Sequence, residues 1–111
     1  MVSALEVSCA GLDSEEDCVA RVAERARALP KGSWIRGRGW DQNRWPGMRM
    51  PSRASLDRAA PDHPVALVRI DGHATWVNSA ALAASGITRE TRDPTGGIVV
   101  RDPRGEPTGL L

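Results

Sequence analysis

Hydrophobic and polar positions along this chain change period several times, and each change marks an element. In the run EEDCVARVAERARAL, from Glu15 to Leu29, apolar side chains at Cys18, Val22, Ala26 and Leu29 recur every three or four positions, the spacing of one helix face. Ser14 precedes this run as an N-cap, with Asp17 at the capping-box position and acidic residues in the first turn, where the helix dipole favours negative charge. Pro30, Lys31 and Gly32 end the helix. In SWIRGRGW, from Ser33 to Trp40, the period falls to two: Trp34, Arg36, Arg38 and Trp40 alternate with Ile35, Gly37 and Gly39. This is a strand pattern, with glycines where something approaches the backbone closely. A short helix is predicted from about Ser52 to Ala60, and the proline-bounded stretch Pro61 to Pro64 breaks it.

PVALVRI, from Pro64 to Ile70, is a nearly continuous apolar run, the pattern of a central strand covered on both faces. NSAALAASG then supplies an N-cap at Asn78, a short alanine-rich helix and a terminating Gly86. GGIVVRDPRGEPTGLL gives two short strands around Asp102, Pro103, Arg104 and Gly105, with Pro and Gly where a type I turn prefers them. The order is helix, strand, helix, strand, helix, hairpin. It predicts a single α/β domain over residues 1–111: a small mixed sheet with about three helices and a C-terminal β-hairpin at an edge. The strands at Trp34 and Pro64 are expected to run parallel, joined by a right-handed helical crossover.

Composition narrows the function classes. The 111 residues carry a net charge of only +1, and the two signs interleave from end to end. Such a chain lacks the basic footprint that phosphate backbones require, so no nucleic-acid partner is expected. No apolar run approaches the roughly 18 residues of a membrane span, so no membrane partner is expected either. Cys9 and Cys18 are the two cysteines, and no signal-peptide pattern precedes them, which points to a reducing cytoplasm and to unbridged thiols.

Chemistry is sparser than structure. The two histidines, His63 and His73, have no partner at metal-ligand spacing, so no self-contained metal site is expected. His63 sits in the turn PDHP and reads as a solvated loop residue. His73 lies in RIDGHATWVNSAAL, directly after the strongest strand, where the carboxyl edge of an open parallel sheet forms a ligand crevice. Asp71 there can orient or charge-stabilise an imidazole, Gly72 permits a sharp turn, and Trp76 and Asn78 add a flat wall and a polar handle.

The motifs SWIRGRGWDQNRWPG, PSRASLDRAAPDHPVALVRIDGHATWVNSAAL, GIT and GGIVVRDPRGEPTGLL, in that order and spacing, resemble a stretch of the amidohydrolase superfamily. The branch is the one that includes N-substituted formamide deformylases. The resemblance runs from about Leu12 to Leu111. It implies a parent of several hundred residues, with a (β/α)8 barrel and a β-sandwich, that hydrolyses C–N bonds using one or two divalent, zinc-like metal ions. The first metal ligands of that family lie in a His-x-His motif upstream of the matching region, and the others lie downstream.

On this reading the chain is the α/β region inserted after the first barrel strand, and it holds no catalytic residue and no metal ligand of its own. Its share is recognition of a small-molecule substrate: Trp40 and Trp45 as apolar walls, Arg38 or Arg44 for an anionic substituent, and Asp71, His73 and Asn78 for polar contacts. Cut from its parent, the segment is expected to expose apolar surface, such as Leu110 and Leu111, and to self-associate. The alternative is a stand-alone interaction or ligand-binding module that kept the fold without catalysis.

Overall fold

The computed structural model describes residues 6–88, 91 and 99–111. Its elements are β1 (Val7–Ser8), α1 (Glu15–Ala28), β2 (Ile35–Trp40), two 3-10 turns (Gln42–Arg44 and Pro46–Met48), α2 (Arg53–Ala59), β3 (Val65–Arg69), β4 (Thr75–Val77) and α3 (Ser79–Ala84). The caps form where local chemistry demands them. Ser14 accepts from the Asp17 N–H and Asn78 from the Ala81 N–H, each satisfying a donor the first helical turn would leave unpaired.

The sheet has the order β1-β2-β3-β4, with β1, β2 and β3 parallel and β4 antiparallel to β3. Two βα units therefore run in sequence, and β2 and β3 are parallel as their helical connection requires. The chain's end extends the sheet. Val77 N–H donates to Gly109 at 2.7 Å and Leu111 N–H to Thr75 at 3.0 Å, so residues 109–111 lie along the outer edge of β4. They are the second arm of the expected hairpin, whose turn closes where Gly105 N–H meets the Asp102 carbonyl at 2.9 Å. Gly96, Gly97 and Ile98, the start of its first arm, lie outside the described residues.

Helices α1 and α2 cover one face of the sheet, over Val7, Ile35, Val65, Leu67 and Trp76. On the other face α3 covers only the β3–β4 end, where Ala81 and Leu82 meet Ala66 and Val77. The strand expected to be covered on both faces is thus covered on one and a half. Val65 and Leu67 are buried, whereas Val68 and Ile70 are 36% and 57% exposed. An unbroken apolar run does not distinguish a strand sandwiched by this chain from one left half open by it.

Strand β2 departs from simple alternation. Ile35, Arg36, Gly37 and Arg38 pair in step with Val65, Ala66, Leu67 and Val68, but the next pair is Trp40 with Arg69, so Gly39 is an extra residue. At φ +98 this glycine takes a conformation that side chains resist, and a Cβ there would lie 2.9 Å from the Ala10 nitrogen. The bulge turns Trp40 from the face of Trp34, Arg36 and Arg38 into the core, correcting the expectation that Trp34 and Trp40 share a face. Gly37 serves close approach as expected, since a Cβ there would stand 2.3 Å from the Val7 carbonyl oxygen.

Two further expectations change, at Leu110 with Leu111 and at His63, while the thiols stay unbridged as expected. Leu110 is buried in the main core and Leu111 packs with the α3 cluster, because pairing with β4 draws both inward. Among the described residues the large exposed apolar side chains are instead Trp34, Met48, Met50, Val68, Ile70 and Val100. His63 is buried, and its Nδ1 donates to the Ser33 carbonyl at 3.0 Å. Cys9 and Cys18 are free and buried in the core, with the Cys18 thiol held protonated by its hydrogen bond to Cys9 and by burial.

Candidate functional site

The carboxyl ends of β1, β2 and β3 deliver three loops to one edge of the sheet. After β3 the chain turns back within Arg69 to Ala74, closed by Arg69 N–H to Ala74 at 2.7 Å and Gly72 N–H to Arg69 at 2.8 Å. At the turn's tip Asp71 Oδ1 accepts the His73 N–H at 2.9 Å, leaving Gly72 at φ +78 and His73 exposed. After β2, Asp41 makes the same local bond, accepting the Asn43 N–H at 3.0 Å and starting the 3-10 turn that leads to Trp45.

Arg69, in register with Trp40 at the ends of their strands, joins these two loops. Its Nη1 donates to Asp71 at 2.5 Å, its Nε to Gln42 at 2.8 Å and its Nη2 to Asp41 at 3.4 Å. The guanidinium carbon stands 5.9 Å from the centroid of the Trp40 ring. Arg44 makes a second latch, reaching Asp13 at 3.0 Å and the Gly11 carbonyl at 3.4 Å on the loop after β1.

Beneath this edge Trp40, Trp45 and Trp76 form a triad with every pair of ring centroids 5.9 Å apart. Such pairs add about 0.5 to 1.5 kcal/mol each beyond the area they bury. Trp40 Nε1 donates to Leu67 and Trp76 Nε1 to Ser52, both at 2.7 Å, while Trp45 Nε1 is buried without an acceptor among the described residues. Trp40 and Trp76 are fully buried and Trp45 is 5% exposed, so in this chain they are a rigid base rather than open walls.

The residues singled out in the sequence therefore separate. Asp71 and His73 come together at the exposed tip, above the base that holds Trp40 and Trp45. Arg44 reaches the other way, to Asp13 on the loop after β1. Arg38 lies on the open sheet face, paired with Glu6 at 3.0 Å, away from the triad. Asn78 is at the opposite end of β3, fully buried, with its amide spent on Val65, Ala81, Ala60 and His63 at 2.7 to 3.0 Å. It cannot turn a polar atom to a ligand without abandoning these bonds.

Sequence reading passed over Arg69, although a cation ending an apolar strand two residues before Asp71 was a signal for it. It also passed over Met48 and Met50, exposed apolar side chains on the loop after Trp45. Asp71 is held below the ordinary carboxylate value, first by the His73 N–H it accepts and then by the charge of Arg69.

A divalent metal does not fit these residues. Among the described residues no three His, Cys, Asp or Glu side chains converge as ligands. Asp41 and Asp71 are engaged with Arg69, and His63 and His73 lie at opposite ends of β3. Two broad surface grooves lie elsewhere, one between β1 and α1 beside Glu6 and Arg21, the other between α1 and α2 beside Val19 and Ala59.

Residues 3–111 match the profile of the family described as "Amidohydrolase family". Among curated proteins, the chain is 47% identical over 107 residues to the putative amidohydrolase YtcJ of Bacillus subtilis, covering 96% of this chain and 20% of that protein. It is 42% identical over 96 residues to the N-substituted formamide deformylase of Arthrobacter pascens, covering 86% of this chain and 18% of the enzyme. Among solved structures it resembles an uncharacterized metal-dependent hydrolase from Pyrococcus horikoshii, with a TM-score of 0.68 and 26% identity, covering 99% of this chain and 19% of that one. The chain thus spans about a fifth of the length of these relatives.

Proposed function

Because the chain belongs to the amidohydrolase family, we propose that it is the substrate-pocket segment of a metal-dependent hydrolase acting on non-peptide C–N bonds of the amide or formamide kind. The observation that carries this reading is the tip at Asp71 and His73, exposed and polar, latched by Arg69 above a buried tryptophan base. An exposed imidazole and carboxylate on a rigid support suit the recognition of a small polar group. Met48 and Met50 offer apolar contact on the neighbouring loop, and Arg44 offers charge if released from Asp13. Trp40 and Trp45 act beneath the substrate as packing, and Asn78 acts as a brace.

In this reading the divalent metal, zinc-like in kind, is held by parts of the parent enzyme beyond this chain, because the described residues do not suit it. The segment binds and orients; it neither holds the metal nor supplies the nucleophile. The likeness to a formamide deformylase supports the C–N preference, and the likeness to metal-dependent hydrolases supports the metal.

The test is His73→Ala in the full-length enzyme that carries this segment. kcat/KM is expected to fall by about one to three orders of magnitude, the range for one positioned polar contact, with metal content unchanged. Loss of the metal would make His73 a ligand, and unchanged kinetics would make the turn purely structural. The isolated chain is also expected to self-associate through the sheet face around Val68 and Ile70 that α3 leaves open. Sedimentation at rising concentration measures this, and a persistent monomer favours a stand-alone module instead.

A further inference from the structure

Two loops at the candidate site share one construction, and one side chain stands between them. In each, an aspartate at a strand end accepts the backbone N–H two residues on: Asp41 from Asn43, and Asp71 from His73. This local bond is short in range and exposed, and by itself it leaves each loop free to move against the other. Arg69 removes that freedom. Its Nη1 takes the second oxygen of Asp71, its Nη2 shares the Asp41 oxygen that already accepts from Asn43, and its Nε holds Gln42. Its side chain is 15% exposed and backed by the Trp40 ring, so it has little room to rotate away.

We propose that Arg69 is a positioning residue, which locks the Asp71 to His73 turn and the Asp41 to Trp45 loop into one unit, so that His73 and the loop bearing Met48 and Met50 meet a substrate in a single arrangement. A guanidinium suits this because its donors point in fixed directions within one plane. A lysine ammonium would supply the charge without that fork. The Gly39 bulge is part of the device, since it brings Trp40 into register with Arg69 and under it. The use of the unit in catalysis rests on the function proposed above, but the coupling is a property of this chain and is measured in it.

The experiment follows amide hydrogen exchange by NMR in the 111-residue chain, at His73 and Asn43 as reporters and at Leu67 in the sheet as reference. Arg69→Met should speed exchange at both reporters by about tenfold or more while Leu67 keeps its protection, as expected of local opening. Arg69→Lys, which keeps the charge, should recover less than half of that loss. Asp41→Asn should speed the His73 amide about threefold from across the cluster, and should do nothing further to it in the Arg69→Met background.

Reporters that do not respond to Arg69→Met overturn the proposal. So does equal acceleration at Leu67, which would mark a general loss of stability, or full recovery by lysine. Should Arg69→Met fail to fold, Asp41→Asn decides alone, because an unchanged His73 amide there means that the loops are uncoupled. A His73→Ala enzyme with normal kinetics would sink the functional reading and leave this coupling standing.

Discussion

Asn78 and Arg69 serve opposite ends of β3, and the contrast between them separates support from recognition. At the amino end Asn78 is neutral, fully buried and saturated, with two N–H groups bonded to its oxygen and its nitrogen donating to two carbonyls. None of its side chain faces solvent. At the carboxyl end Arg69 is charged and gathers two aspartates that remain partly exposed, with His73 open beyond them. Buried neutral polar groups hold a fold when every partner is present, and their removal strands each partner away from water. Charged groups at a half-exposed rim contribute less to stability and are available to a ligand.

The contrast is tested most severely at Asn78. Asn78→Ala leaves Val65 N–H, Ala81 N–H and the His63 carbonyl without this partner and takes one of two donors from the Ala60 carbonyl, which keeps the His63 N–H, and should cost about 3 to 4 kcal/mol of unfolding free energy. Urea unfolding checks it, and a loss below about 1 kcal/mol would mean that water replaces the amide easily. Gly39→Ala comes next. It must tolerate both a positive φ and a Cβ beside Ala10, so about 2 to 3 kcal/mol is expected, together with a red-shifted tryptophan emission as Trp40 leaves the core.

A smaller effect is expected at Asp71, and it depends on pH. Its folded value lies below the ordinary 3.8 of the free carboxylate, so its stabilisation is fully present above that value and is lost as pH falls through the lower folded one. Asp71→Asn should therefore narrow the stability difference between neutral and strongly acid pH. If the two proteins have parallel pH profiles, the bonds to His73 and Arg69 do not persist in solution. The smallest effect on folding belongs to His73→Ala, which should stay within about 0.5 kcal/mol of the parent, as for an exposed side chain outside the core. A larger loss would move His73 from the recognising end of the contrast to the supporting one.

The local parts of this fold were legible from the order of residues. The cap at Ser14, the cap at Asn78 and the turn from Asp102 to Gly105 each depend on groups no more than three residues apart, so the sequence alone contains both partners. The helix face at Cys18 and Val22 follows from its period, and the strand at Val65 from its unbroken apolar run. The exposed pair Asp71 and His73 was legible too, because a glycine turn after a strong strand confines both to its tip. Strand β1 was not, since Val7–Ser8 is too short to show any period and exists through its pairing with Gly37 and Arg38.

Tertiary structure alone decided which face each polar group would meet. Alternation assigns faces only while register is unbroken, and the extra residue at Gly39 sent Trp40 inward against its pattern. Arg69 could be seen as a charge in an apolar strand, but its partners Asp41 and Gln42 lie 28 and 27 residues away, and neither spacing has meaning until β2 and β3 align. Asn78 read as a helix cap, which it is. Its further bonds to Val65, Ala60 and His63 arise because the chain between them has folded back, a three-dimensional closeness that no periodicity along one strand encodes.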